Sequence, residues 1–240
     1  MMQEKGSLNA LVLGISLFLG LSSLGFLLAN AAISYKEFER TVTVKGLSEQ
    51  EFMADIVIWP IQFTLADNTL QTLYSDIDNN TQTIIQFLTE QGIERDDISL
   101  TSPAITDKSA QQYGGNQRAE FRYTGMQTVT VYSEEIETVR QVMSKLSELG
   151  KEGIVLTGNN YQSQTEYLFT RLNEIKPAMI EEATRKAREV AEKFADDSDS
   201  SLGKIRRASQ GQFSISPRDK NNPHIKKIRV VSTIEYYLSD

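Results

Sequence analysis

Hydrophobic positions alternate most regularly along the stretch ADIVIWPIQFTL. Successive side chains of a strand point to opposite faces, and one face here carries large apolar residues throughout, namely Val57, Trp59, Ile61, Phe63 and Leu65. The other face changes from apolar to polar at Pro60. Because proline lacks the N–H that a ladder hydrogen bond needs, it suits an edge position or a bulge. The pattern predicts a strand buried on both faces before Pro60 and on one face after it, with Trp59 in the core.

A shorter strand is predicted immediately before this one. The stretch TVTVKG alternates in the same way, and we expect Gly46 to end the strand. The polar stretch LSEQE that follows is typical of a connection between strands. The sequence therefore predicts two strands with a loop between them.

Two amphipathic helices are predicted from apolar residues that recur with the helical period. The first has an apolar face that comprises Leu70, Leu73, Tyr74, Ile77, Ile84, Ile85 and Leu88. Asn68 and Gln71 resemble a capping pair at its start, and Gly92 is a stop signal. The second is predicted to begin after Ser133, which can cap it, and to end at Gly150. Its inward face is expected to comprise Ile136, Val139, Met143, Leu146 and Leu149. A Gly-Ile pair follows each helix, which hints at a duplicated β-α-β unit.

The third and longest helix is predicted near residues 172–196. Alanines recur at every fourth position of this segment, at Ala183, Ala187, Ala191 and Ala195. Such a stripe permits close approach to a sheet or to another helix. Oppositely charged residues four positions apart predict a solvated face with ion pairs, in Glu181/Arg185, Glu182/Lys186 and Glu189/Lys193.

The stretches LGKIRRASQGQFSI and IKKIRVVSTIEYYL are predicted to form a long hairpin. Its basic residues are Arg206, Arg207, Lys226, Lys227 and Arg229. They either dock on an anionic surface or balance the acidity of the rest of the chain. His224 lies in the connecting segment SPRDKNNPH, and we expect it to be a solvated loop residue.

The N-terminal segment is the most hydrophobic part of the chain. Residues 10–29 contain nothing more polar than serine. About 20 apolar residues span a bilayer as a helix. We predict a short tail at residues 1–7 and a transmembrane anchor at residues 8–33. The alternative is a signal peptide cut after Ala29-Asn30-Ala31, but its apolar core would be longer than usual. Gly25 and Ala29 form a small-xxx-small pair on which anchor helices can pack.

Composition excludes several classes of site. The chain has no cysteine, which excludes disulfides, thiolate catalysis and cysteine-ligated metals. It has one histidine, so there is no second histidine with which to build a zinc site of the usual kind. A net charge of -7 gives no reason to expect nucleic-acid binding. The known nucleophile, phosphate-loop and zinc motifs do not occur. We therefore expect no enzyme activity, cofactor or metal. A carboxylate pair such as Asp96-Asp97 or Glu134-Glu135 leaves a hydrolase as the least favoured hypothesis.

The order of several stretches resembles the bacterial SIMPL-domain proteins, and in particular their membrane-anchored periplasmic branch. These stretches are VTVKG, ADIVIWP, DDISLTSP, EEATRKAREVAEKFA, SLGKIRRASQGQFSI and KKIRVVSTIEYYL, and the resemblance covers residues 41–238. It implies an α+β fold, a SIMPL-like domain of mixed strands packed against three long helices, at residues 41–240. It also implies a periplasmic domain on a single-pass inner-membrane protein. Charges flanking the anchor lean against this orientation by a margin of one.

The resemblance further implies a ring-like or channel-like homo-oligomer and a role in oxidative or envelope stress tolerance. We expect a non-enzymatic protein that self-associates and contacts an unidentified envelope partner. The residues expected to serve structure or interfaces are Gly46, Trp59, Pro60, Gly25 and Ala29. The open half of the strand beyond Pro60 is expected to pair with a neighbouring subunit. The alternative is a binding module for a small anion, formed by the loop around Tyr113 and Tyr123 and by the basic hairpin.

Overall fold

The chain folds into two compact units in the computed structural model, which describes residues 2–37, 40–110, 120–157 and 163–239. The first unit comprises Met1–Glu49, Lys176–Phe213 and Arg229–Asp240, and the second comprises Gln50–Ile175 and Ser214–Ile228. The helices are α1 (Met2–Glu37), α2 (Leu70–Glu90), α3 (Ile136–Ser144), α4 (Ser147–Lys151) and α5 (Leu172–Asp197). The strands are β1 (Thr41–Met53), β2 (Ile56–Asp67), β3 (Ile98–Leu100), β4 (Ala104–Asp107), β5 (Tyr123–Ser133), β6 (Glu166–Leu168), β7 (Ser201–Gln210), β8 (Ser214–Pro217) and β9 (Ile225–Ser239). The predicted α+β class, with an apolar N-terminal helix, is confirmed.

The second unit is built on the antiparallel pair β2 and β5. Its strand order is β3-β5-β2-β6, and β4 also pairs with β5. The register runs without a shift from Val57 opposite Ser133 to Asp67 opposite Tyr123. The predicted apolar face of β2 is buried in one core with side chains of β5, α2 and α3, so this prediction is confirmed. Trp59 is 4% exposed.

The opposite face of β2 differs from the prediction. Ile58 and Pro60 are half-buried, whereas Gln62 is buried, so burial does not change from two faces to one at Pro60. The Gln62 amide is tolerated there because its polar atoms are satisfied: it donates to Thr128 Oγ1 at 3.4 Å and accepts from Thr157 Oγ1 at 3.1 Å. The sequence shows a polar residue at this position, but it does not show the hydrogen-bond partners that allow the residue to be buried.

Proline has no N–H, but its absence at Pro60 costs no hydrogen bond between β2 and β5. The N–H of Thr64 donates to Val155 O at 3.1 Å, on the side of β2 away from β5. Residues of one parity in an antiparallel strand direct their N–H to the same side, so the Pro60 nitrogen also faces away from β5. On that side β6 pairs with β2 only as far as Ile58. Pro60 therefore interrupts neither ladder among the described residues, and no bulge is present in the β2–β5 register.

The predicted helix boundaries need three corrections. Leu70 and Tyr74 are 41% and 44% exposed, because the buried face of α2 starts at Leu73. Asn68 does not cap α2, since its Oδ1 accepts instead from the Arg122 N–H at 2.9 Å. The second predicted helix is divided into α3 and α4. Between them, the N–H groups of Lys145 and Leu146 donate to carbonyl oxygens three residues earlier in the chain, as in a 3-10 turn, rather than four residues earlier as in an α-helix.

The ends of α2 and α4 have the same geometry. Gly92 and Gly153 adopt φ of 93° and 90°, and each is followed by a buried isoleucine. Ile93 N–H donates to Leu88 O at 3.0 Å, and Ile154 N–H donates to Leu149 O at 3.1 Å. These are Schellman endings, in which glycine accepts the left-handed conformation. Gly153 rather than Gly150 ends the second helical segment. The matching ends of the two helical segments agree with the predicted repetition of a β-α-β unit.

The first unit contains a sheet in the order β1-β9-β7, with α5 against one face. The predicted alanine stripe is buried, with all four alanines at 2% exposure or less. Gly46 does not end β1, which continues to Met53. A Cβ at Gly46 would collide with the carbonyl oxygen of Ala183 and would lie 2.5 Å from the backbone nitrogen of Ala187. The glycine is thus required by the close approach of α5 and not by a turn.

Helix α1 has the length and composition of a membrane span. The apolar segment Leu13–Ile33 has 21 residues and a mean hydropathy of 1.8, and none of it is buried within the protein. Its exposed side chains include Phe18, Phe26 and Leu28. A helix of this length matches the hydrocarbon thickness of a bilayer. Gly25 and Ala29 lie within it, and the position of a Cβ on Gly25 is open.

We expect Gly46→Ala to destabilise the first unit by about 1–3 kcal/mol, the usual cost of forcing atoms into a filled space. The matched control is Gly150→Ala, since Gly150 lies in α4 and its Cβ position is open. That change should be neutral or stabilising by up to about 1 kcal/mol. Urea unfolding of the detergent-solubilised chain measures both. Equal stability of the two variants would contradict the close approach of α5 to β1.

Candidate functional site

Strand β7 forms an exposed edge of the sheet in the first unit. Every residue from Lys204 to Gln210 is exposed, and Ile205 is 48% exposed. The sheet order ends at β7, so no strand in the described part of the chain pairs with its outer edge. An unpaired edge presents N–H and C=O groups in a row that another chain can complete.

The direction of the free groups follows from the β7–β9 register. Gly211 N–H donates to Val231 O at 2.8 Å, and Ser209 lies opposite Thr233 in the same register. The N–H groups of alternate residues in a strand point to the same side, so Ser209, like Gly211, directs its N–H to β9. Ala208 and Gln210 are the alternate residues, and their N–H groups point outward, away from β9.

A polar hollow of about 380 Å³ lies on the sheet of the first unit and is lined by Thr43, Arg207, Ser209, Thr233 and Glu235. The buried side chains of Ile234 and Tyr236 belong to the core with α5. Because neighbouring residues of a strand face opposite ways, the side chains of Thr233 and Glu235 point to the face that α5 leaves open.

The charges around the hollow are not balanced. Glu235 Oε1 accepts from Thr41 Oγ1 at 3.0 Å and from Arg206 Nη1 at 2.9 Å. The register of β7 shifts between Ile205 and Arg207, so Arg206 lies at an irregularity that brings it to this carboxylate. The Arg207 guanidinium has no hydrogen bond or ion pair with any residue in the described ranges. One cationic side chain at the hollow is therefore left without a protein counter-charge.

His224 is buried, so its prediction as a solvated loop residue is wrong. It is 5% exposed, and its ring lies 5.9 Å from that of Tyr167. Its backbone oxygen accepts from the Ala54 N–H at 2.8 Å, which fixes the segment just before β9. Burial lowers the pKa of His224 below its usual 6.5. Lys226 is also buried, and burial lowers the pKa of its ammonium group, while Glu166 opposes that change.

This buried pair does not form a recognisable catalytic arrangement. Within residues 40–110, 120–157 and 163–239, no side chain is hydrogen-bonded to the His224 imidazole. No group of three or more potential ligands that could hold a metal ion occurs among the residues described. Asp96 and Asp97 lie in a short 3-10 turn. The structure brings none of these groups together with His224 in a hydrogen-bonded set.

Asp55 has a structural role that no sequence pattern indicates. Its carboxylate accepts from the Thr170 N–H and Oγ1 at 2.9 Å and from the Arg171 N–H at 3.2 Å. Burial alone would raise the pKa of Asp55, but the hydrogen bonds from Thr170 and Arg171 outweigh it and the pKa is lowered. The carboxylate thus fixes the segment that leads into α5. An aspartate before a strand carries no sequence signal for a partner so far along the chain.

The residues predicted for the alternative anion site are only partly described. Tyr113 lies outside the described residues. Tyr123 is half-buried, with the Arg122 guanidinium 4.8 Å from its ring centre, and Arg122 in turn binds Asp107 at 2.9 Å. Among the basic residues of the hairpin, Arg206 and Arg207 belong to the first unit, whereas Lys226 and Lys227 belong to the second.

The residues predicted for structure or interfaces are separated in the fold. Gly46 is covered by α5, Trp59 is in the core of the second unit, and Pro60 is half-buried in β2. Ala29 is exposed on α1 with Gly25. The part of β2 beyond Pro60 is not a fully open edge, because Thr157 N–H donates to Gln62 O at 2.8 Å and Phe63 pairs with Leu156.

We expect acid to destabilise the chain through His224. Well above pH 6.5 the imidazole is neutral in both states. As pH falls, the unfolded chain binds a proton before the folded chain does, since the folded pKa is lower. The melting temperature should therefore fall between about pH 7 and pH 5 by more in the unaltered protein than in His224→Gln. His224 is the only histidine, so the difference between the two profiles isolates it. Parallel profiles would contradict the buried placement.

The chain was compared with protein-family models and with curated proteins. It matches the model named SIMPL, described as "Protein of unknown function (DUF541)", over residues 42–230. No curated protein matches the chain. The matched segment begins after α1, extends from β1 into β9 and covers most of the 240 residues. The chain therefore belongs to the SIMPL family, whose function is unknown.

Proposed function

We propose that the chain is a single-pass protein of the bacterial inner membrane whose SIMPL domain lies in the periplasm and acts by self-association rather than by catalysis. The observation that carries the proposal is the exposed edge of β7, which no strand in the described part of the chain pairs with. The apolar helix α1 supports the anchor. The periplasmic side and a role in tolerating oxidative or envelope stress rest on the family resemblance.

Charge favours a particular way of pairing. Strand β7 carries Lys204, Arg206 and Arg207 and no acid, so two copies of β7 side by side would place like charges together. The other edge of the same sheet is β1, which carries Lys45, Glu49 and Glu51, and its two acids lie 3.8 Å from Arg229 and 3.7 Å from Arg218, respectively. Pairing of β7 with β1 of the next copy therefore avoids the row of like charges that β7 would meet on a second β7.

This pairing is head-to-tail, so it uses two different surfaces of each copy. A contact of that kind generates a ring when its rotation closes. The proposed assembly is therefore a ring in which the sheets of the first units are continuous. The pair formed by Gly25 and Ala29 would let the anchors of neighbouring copies pack closely in the membrane.

The edge is tested by removing one outward N–H. Ala208→Pro deletes the donor that faces away from β9 and leaves the ladder with β9 intact, because proline is accepted on the free side of an edge strand. We expect the detergent-extracted chain to fall from an oligomer to a monomer, as measured by light scattering after gel filtration. The control Ala208→Ser keeps the N–H and should keep the oligomer. An oligomer of unchanged mass in Ala208→Pro, or a monomer in the unaltered chain, would contradict the proposed interface.

Membrane orientation is tested by cysteine labelling, because the natural chain has no cysteine to mask. We expect Ser214→Cys, at an exposed position in β8, to react with a membrane-impermeant maleimide in intact bacterial spheroplasts. Gln3→Cys, before the anchor, should react only after detergent is added. The reverse pattern would place the SIMPL domain in the cytoplasm. Loss of the Gln3→Cys label from the mature chain would show that the anchor is cleaved.

A further inference from the structure

We propose that the polar hollow on the first unit binds a monosaccharide-sized anion, with Arg207 as the principal ligand for its phosphate or carboxylate group. At the hollow, a cationic side chain without a partner among residues 40–110, 120–157 and 163–239 meets several hydroxyl groups. The site is formed by side chains on the open face of the sheet, whereas the proposed self-association uses the backbone edge of β7, and Arg207 is the residue that both proposals use.

The arrangement of the five residues resembles a shallow binding platform. Thr43, Glu235 and Arg207 come from β1, β9 and β7, which are neighbours in the sheet. Arg207 lies opposite Glu235, and Ser209 lies opposite Thr233 in the next pair of this parity. Strands are about 4.8 Å apart and residues of one face about 7 Å apart, so the platform measures roughly 10 by 7 Å. A six-membered sugar ring with one acidic substituent has this size.

The available polar atoms determine what can bind. Arg207 presents a planar fork of N–H donors that matches the oxygens of a phosphate or carboxylate. Throughout the described residues, the hydroxyl groups of Thr43, Ser209 and Thr233 have no partner, and each can donate and accept. They can therefore bind either the acidic group or the ring hydroxyls of a ligand.

Glu235 adds selectivity. The hydrogen bonds that Glu235 accepts from Thr41 and Arg206 both end on Oε1, and Oε2 accepts none from the described residues. Oε2 can therefore accept a hydrogen bond from a ligand hydroxyl. The ion pair with Arg206 offsets its charge, which leaves the positive charge of Arg207 in excess. An anion that also carries hydroxyl groups satisfies both Arg207 and Glu235, whereas a simple anion satisfies only Arg207.

The test is calorimetric titration of the full chain in detergent at low salt with four probes. These are glucose 6-phosphate, glucuronate, inorganic phosphate and glucose. We expect glucose 6-phosphate or glucuronate to bind at least about tenfold more tightly than inorganic phosphate or glucose, because one extra well-placed hydrogen bond to a charged group is worth about a factor of ten. The tighter of the two charged sugars assigns the acidic group as phosphate or carboxylate.

Two variants separate the site from general electrostatics. Arg207→Gln should weaken binding of the charged sugar at least about tenfold, since it removes a charge-assisted hydrogen-bond donor. Lys204→Gln removes the same charge from an exposed position of the same strand and should leave binding within about twofold, as expected when an exposed charge lies away from the ligand. Thr233→Val, which keeps the shape of the side chain, should weaken the charged sugar more than inorganic phosphate. Circular dichroism confirms that each variant is folded.

Three results would overturn the proposal. They are the absence of binding for all four probes, equal binding of glucose and the charged sugars, and equal losses in Arg207→Gln and Lys204→Gln. None of them depends on the oligomer, because the mass of each variant is measured in the same samples. A ring that binds no anion would leave the proposed function intact, and a monomer that binds the charged sugar would overturn the proposed function alone.

Discussion

The approach of α5 to β1 at Gly46 is the constraint on which the first unit depends. The helix lies so near the strand that its backbone occupies the place of a side chain, and only glycine on one element and alanine on the other permit this distance. Few large side chains take part in the resulting core, which consists of Val44, Ala187, Ala191, Ile234 and Tyr236.

Much of the sheet in the first unit is exposed. One helix masks one face of β1 and β9, while β7 remains exposed along most of its length. The residues proposed to recognise another copy and those proposed to bind an anion therefore lie on neighbouring parts of one strand. Arg206 and Arg207 are adjacent in sequence, yet the register shift between Ile205 and Arg207 gives them different roles. One forms an ion pair with Glu235, and the other remains available.

Elements with a strong local pattern could be predicted from the sequence. The buried face of β2 follows from strict alternation, and the stripe of α5 follows from alanines at every fourth position. Gly46 was misinterpreted because a glycine that ends a strand and a glycine that admits a helix are identical in the sequence. The burial of His224 depends on Tyr167 and Ala54, which lie far away along the chain. The hollow was missed for the same reason: a basic hairpin was evident, but the register that separates a paired arginine from a free one is set by β9.

The second unit contains a reciprocal arrangement. The segment after α2 supplies β3, which pairs with β5, and the segment after α4 supplies Leu156, which pairs with Phe63 of β2. One half comprises β2, α2 and β3, and the other comprises β5, α3, α4 and Leu156. Each half pairs with the flank of the other half's central strand, and in each half the chain leaves the helix through a turn centred on a glycine with positive φ. Neither half has a closed sheet of its own. The two halves are consequently interlocked, because either half alone would leave one flank of its central strand without these partners.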